Sequence, residues 1–309
     1  MNLKQLNARQ ITDGLKFPEG PVVLPDGSVV VVEIESGHLV RVGLDGRKDV
    51  VADLGGGPNG AAMGPGGCIY VCNNGGFNWV HAADGYARPH GRADAYTGGS
   101  IQRVNLSSGA VDTLYTHCDG NPIMGPNDII FDGKGGFYFT DHGKSYDRLM
   151  DRGALFYAAE DGSMIREVAF PLITPNGVGL SPDGRTLYAS ETETGRVWAW
   201  PVLSPGVLGK EAWPSPNGGR FVGGATGYQR FDSMAIEESG NICIASLVAA
   251  GISVFAPEGG RIEFYEAPEP YCTNIAFGGA DRRTAYITLS GYGTLVAVDW
   301  PRPGLALAY

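Results

Sequence analysis

One unit of sequence is written six times in this chain, and that repetition limits what it can fold into. The clearest copy is TPNGVGLSPDGRTLYASETETGRVWAW, from Thr174 to Trp200. It holds three short apolar runs, separated by a Pro-Asp-Gly turn and a Gly turn. Val178 and Leu180, Leu187 and Ala189, and Val197 and Ala199 alternate with a period of two, as strands joined by tight turns do. The same grammar opens at Glu19, Asn59, Asn127, Asn176, Asp232 and Asn274, at intervals of 40, 68, 49, 56 and 42 residues. Units of roughly 40–50 residues, each able to make four strands, predict an all-β fold: a six-bladed β-propeller with four-stranded antiparallel blades around a central channel.

Such a fold needs many turns and enough apolar side chains to fill the space between blades. The 48 glycines, 20 prolines and 43% hydrophobic residues provide both. No linker or composition break divides the chain, so residues 1–309 read as one propeller domain. Gln10–Leu15 is a candidate strand to pair with the last unit and close the ring. The long interval after Asn59 contains NNGGFNWVHAADGYARPHGRADAYTGG, residues 73–99. Its aromatic content argues against disorder. The insertion, residues 74–99, is therefore expected to be a lid loop over one mouth of the propeller.

The net charge of -10 disfavours nucleic acid and anionic membranes as partners. No apolar run reaches the roughly 18 residues of a membrane helix. The first residues carry no signal-like apolar stretch, and the five cysteines are an odd number. A cytoplasmic protein with reduced thiols is expected.

In a propeller the first strand of each blade lines the channel. Equivalent residues therefore face one another around an axis, and here they are Glu19, Asn59, Asn127, Asn176, Asp232 and Asn274. Six oxygen-bearing side chains in a narrow space, two of them anionic, need compensation. A divalent cation would supply it, since carboxylates and amide carbonyls are hard oxygen ligands. The alternative is a water-filled polar channel in which these groups bond one another.

The segments FPEGPVVLPDG, GPNDIIFDGKGGFYFTD, TPNGVGLSPDG and FDSMAIEESGNICIA resemble the senescence marker protein/gluconolactonase family of six-bladed propellers. This family includes regucalcin-like lactonases and bacterial drug-responsive lactonases. The similarity runs from Phe17 onward. It implies one divalent metal, Ca²⁺ first and Mg²⁺, Mn²⁺, Zn²⁺ or Fe²⁺ as alternatives, held by Glu19, Asn127, Asn176 and Asp232. It further implies hydrolysis of a small lactone, sugar-derived or otherwise. Sugar-lactone members often carry an Arg two residues before the third-blade Asn. Here that position is Gly125, which counts against an aldonolactone.

On this reading the cation polarises the ring carbonyl, a water attacks, and Asp232 takes its proton. Asn59, Asn274 and His142 are the candidate substrate-binding groups. Asp141 and Glu191, at the ends of second strands, are candidates to support the site. Two other functions fit the same residues. One is phosphotriester hydrolysis at the same metal, as in the diisopropyl fluorophosphatases and paraoxonases. The other is a non-enzymatic ligand-binding propeller.

Overall fold

The computed structural model describes residues 2–309, and nearly all of its regular structure is strand. Six four-stranded antiparallel blades surround a channel. Their inner strands are Pro18–Val23, Pro58–Met63, Pro126–Phe131, Pro175–Leu180, Phe231–Ile236 and Cys272–Gly278. Each inner strand packs against the next, and the sixth packs against the first. The outermost strand of the sixth blade is Ala8–Thr12, antiparallel to Thr294–Asp299. The expected closure is therefore present, set two residues earlier than Gln10–Leu15. Asn2–Gln5 extends the fifth blade, parallel to Arg261–Glu266. No helix among the described residues is long and apolar enough to cross a membrane.

The core is six wedges, one between each pair of neighbouring blades. Tyr70, Phe131 and Phe137 fill the wedge between blades two and three. Tyr138, Leu155 and Trp200 fill the next. Strands in this position are covered on both sides, which explains why Val29–Glu33 is buried at every residue. Each large side chain so buried contributes about 1.5–3 kcal/mol.

The insertion is more regular than a loop. Phe77–His81 and Ala87–Arg92 form an antiparallel hairpin around an Asp84-Gly85 turn. The hairpin leans over blades one and six. Trp79 packs on Phe17 with centroids 5.0 Å apart, and Tyr86 packs on Tyr271 and Tyr292 at 5.6 and 5.0 Å. Ala87 N donates to Gly291 O at 2.8 Å.

All six inner strands break their ladder at the same place. The register shifts between Glu19 and Val22, Pro58 and Ala61, Pro126 and Ile129, Pro175 and Val178, Phe231 and Met234, and Cys272 and Asn274. A bulge re-aims side chains, and here it acts at the polar residue that opens each unit. Proline precedes four of these residues and can sit there because the ladder needs no donor at a break.

Hydroxyls on the second strands take up the freed backbone groups. Thr140 Oγ1 accepts from Asp128 N at 3.0 Å and donates to Asn176 O of the next blade at 2.5 Å. Ser190 Oγ accepts from Gly177 N at 2.9 Å and donates to Asp232 O at 2.8 Å. Ser290 Oγ donates to Pro18 O at 2.6 Å, across the closure. Blades three, four and six thus hold the backbone at or beside the ring residue of the blade that follows.

Glycine permits this close approach. A Cβ on Gly177 would lie 2.7 Å from Met234 N and 2.8 Å from Ser233 C. On Gly20 it would lie 2.6 Å from Ala61 N, and on Gly60 2.6 Å from Asp128 Cα. Gly177→Ala is therefore expected to cost about 2–3 kcal/mol through overpacking against backbone that has no room to yield. Denaturant unfolding checks this. An unchanged midpoint would mean that the inner strands separate freely.

Candidate metal and catalytic site

Five of the six ring residues, Glu19, Asn59, Asn127, Asn176 and Asp232, line one cavity of about 330 Å³, together with His142. The sixth does not. Asn274 Nδ2 donates to Glu19 Oε2 at 2.8 Å, its Oδ1 accepts from Ile275 N at 2.8 Å, and it faces the larger cavity at the opposite mouth. Its amide holds the Glu19 carboxyl. Asp128 also faces that opposite cavity, and backbone N–H groups of Ile129 and Val178 hold its carboxyl at 2.9 and 3.3 Å.

The carboxyls of Glu19 and Asp232 are buried, and burial pushes both proton affinities up. The charge of Glu19 raises that of Asp232 further. Asn176 Nδ2 donates to Thr192 Oγ1 at 3.1 Å, which leaves its Oδ1 with only a long approach from Ser233 Oγ at 3.4 Å. Asn127 Oδ1 is buried with no protein partner. Two mutually repelling carboxylates and two under-used amide oxygens in one cavity fit a hard divalent cation. Among the described residues no three His, Cys, Asp or Glu side chains are placed to hold a metal ion by themselves. A cation here would therefore depend on the amide oxygens.

The acids that end the second strands hold the approach to the ring. Asp141 accepts from Met124 N at 2.8 Å and from Gly125 N at 2.6 Å, just ahead of Asn127. Glu191 Oε1 accepts from Ile173 N at 2.7 Å, and Glu33 Oε1 accepts from Lys16 N at 3.0 Å. His142 lines the cavity, and burial together with the charge of Lys144 lowers its proton affinity to a pKa of about 4. It is therefore neutral at pH 7. His81 turns away to Glu35, with Nε2 3.0 Å from Oε1.

Four cationic side chains line the cavity, a feature not anticipated from sequence. Arg88 and Arg92 come from the hairpin, Lys144 from the loop after the second strand of blade three, and Arg230 from the entry to blade five. These residues lie outside the repeat's strands, and no periodicity marks them.

The chain is thus a closed six-bladed propeller with an oxygen-rich axial cavity. The chain matches the SMP-30/Gluconolactonase/LRE-like region over residues 17–291 and belongs to that family. It is 33% identical to the lactonase drp35 of Staphylococcus saprophyticus over 136 residues, which cover 44% of this chain and 40% of that protein. It is 26% identical to the diisopropyl-fluorophosphatase of Loligo vulgaris over 319 residues, 96% of this chain and 92% of that protein. Its fold matches a gluconolactonase from Xanthomonas campestris at a TM-score of 0.73 and 22% identity, over 95% and 91% of the two chains. It matches regucalcin, a calcium-binding protein from Agrobacterium tumefaciens, at a TM-score of 0.73 and 18% identity, over 99% and 100%.

Proposed function

We propose that this protein is a divalent-metal-dependent lactonase whose cation, Ca²⁺ first, is held by Glu19, Asn127, Asn176 and Asp232. The convergence of these four side chains from four blades on one cavity, with the carbonyl of Asn127 buried and unpartnered, carries the reading. Membership of a family with lactonase and gluconolactonase relatives supports it. When bound, the cation polarises the lactone carbonyl and stabilises the charge that develops on its oxygen.

The chain's own residues do the rest. Asp232, buried and with raised proton affinity, takes the proton of the attacking water. Asn274 holds Glu19 in orientation. Neutral His142 and Asn59 position the substrate from the wall. The hairpin acts as a fixed lid that narrows the mouth.

A second reading is phosphotriester hydrolysis at the same residues. It is favoured by the fluorophosphatase match, which spans nearly the whole chain. A panel of small lactones and phosphotriesters, assayed before and after exhaustive chelation, tests both. The expected result is lactone opening that chelation removes and Ca²⁺ restores. Turnover indifferent to chelation would reject the metal assignment, and turnover of phosphotriesters alone would select the second reading.

A further inference from the structure

The cationic lining of the cavity has more donors than the protein satisfies. Lys144 is buried, yet its Nζ bonds only neutral acceptors, Asn74 Oδ1 and Gly76 O, both at 3.1 Å. It also lies over the face of Phe77, 4.1 Å from the centroid. A buried ammonium without a carboxylate partner is costly. Asn74 Oδ1 is fixed as an acceptor by Lys144 and by Gly76 N at 2.8 Å, so its Nδ2 points the other way, buried and without a protein partner. Arg230 pairs with Glu193 through Nη2, while its Nε is also buried and unpartnered. Arg92 stacks on Tyr96 and Tyr146 at 5.2 and 5.0 Å and has no ion pair among the described residues.

These groups share one field. Asp141 attracts Lys144 and Arg92 repels it, and Lys144 and Arg230 both act on His142. Against four cationic side chains the cavity offers three carboxylates. Glu193 is taken by Arg230, and the other two are the proposed metal ligands. The whole chain carries -10, so this concentration of positive charge runs against its average. Surplus donors with no acceptor call for an acceptor-rich, anionic ligand.

We infer that the substrate carries an anionic group, most simply a carboxylate, which Lys144, Arg92 and the Asn74 amide receive on the hairpin side of the cavity, with Arg230 adding to the positive field. The inference deepens the lactonase reading and rests on it for the bond that breaks, not for the anion site. A sulfonate or phosphate presents the same chemistry. The carboxylate is the probe.

The test uses the full chain with Ca²⁺ and a matched pair of substrates: a γ-lactone bearing a carboxylate at its γ-carbon, and the primary amide of the same compound. The carboxylate is expected to be preferred in kcat/KM by about tenfold or more, the value of one charge-assisted hydrogen bond. Added salt should erode that preference. Arg92→Gln should lower the ratio of the two kcat/KM values about tenfold, chiefly through KM for the carboxylate. Arg92→Lys should restore part of it. Lys144→Met should act in the same direction, with circular dichroism checking its fold, and exposed Arg92 keeps the test decisive should that variant misfold.

A ratio near one, or a ratio that Arg92→Gln leaves unmoved, overturns the anion site while the lactonase reading stands. If neither lactone is opened, the lactonase reading fails and calorimetric binding of the carboxylate compound decides. Binding weakened about tenfold by Arg92→Gln keeps the anion site. Absence of binding removes it.

Discussion

Asp232→Asn is expected to reduce kcat for lactone opening by about a thousandfold, the scale on which a general base and a charged ligand act together. The same substitution is expected to make the cation-free protein more heat-resistant, by about 2–4 °C for each kcal/mol relieved. Both effects have one cause. Asp232 and Glu19 are buried in one cavity and raise each other's cost of ionisation. An amide in place of Asp232 keeps the shape and the approach of Asn176 but removes the repulsion. It also removes the group that takes a proton. Initial rates at saturating Ca²⁺, with melting curves in chelator, read both. Activity within tenfold of the parent would remove Asp232 from the chemistry. A lower melting temperature in chelator would show that its charge is already compensated by the protein.

A divalent cation is expected to raise the melting temperature by about 10 °C at pH 8 and by little at pH 5, given free cation about a thousandfold above Kd. Glu19 and Asp232 hold protons more tightly in the folded state than in the unfolded chain. Groups of this kind contribute stability that is fully present below their unfolded values, near 4.5 and 3.8. It is lost as pH rises through the folded values, about 7 for Glu19 and well above the ordinary range for Asp232. Cation-free protein should therefore soften from pH 5 to pH 8, and the cation should take the protons' place where they leave. Asp128, also raised to about 7 by burial, adds to the cation-free slope. Calorimetry at pH 7 should show proton release as a buffer-dependent heat. A cation effect of equal size at pH 5 and pH 8 would place binding elsewhere.

The sixfold repeat and the residues that open each unit were legible because strand period and blade spacing repeat strictly. Five of those six residues do meet in one cavity. Asn274 is the exception, turned to Glu19 and to the opposite cavity. Its hydrogen bond to Glu19 is a choice between neighbours in the ring, which no spacing encodes. The hairpin in the insertion was visible in principle, in the alternation of Phe77, Trp79 and His81 before an Asp84-Gly85 turn, but the glycines around it read as loop. Lys144, Arg92 and Arg230 were beyond reach. They lie on three connections of unequal length and come together only because the blades fix where those connections start. The supporting hydroxyls of Thr140, Ser190 and Ser290 had a signal that was passed over. Each stands at or just past the end of a second strand, Thr140 beside Asp141 and Ser190 beside Glu191.

The pairing of Ala8–Thr12 with Thr294–Asp299 sets an order of events during synthesis. A ribosome makes the clasp long before its catch. Until Thr294–Asp299 has emerged, Ala8–Thr12 has no strand to pair with and the sixth blade lacks its outermost strand. Vectorial, blade-by-blade acquisition of structure can advance along the chain but cannot lock. The proposed ligands Glu19 and Asp232 are thus held in a closed ring only once Thr294–Asp299 has emerged, so a chain cut before that strand is expected to bind the cation more weakly however many blades it has built.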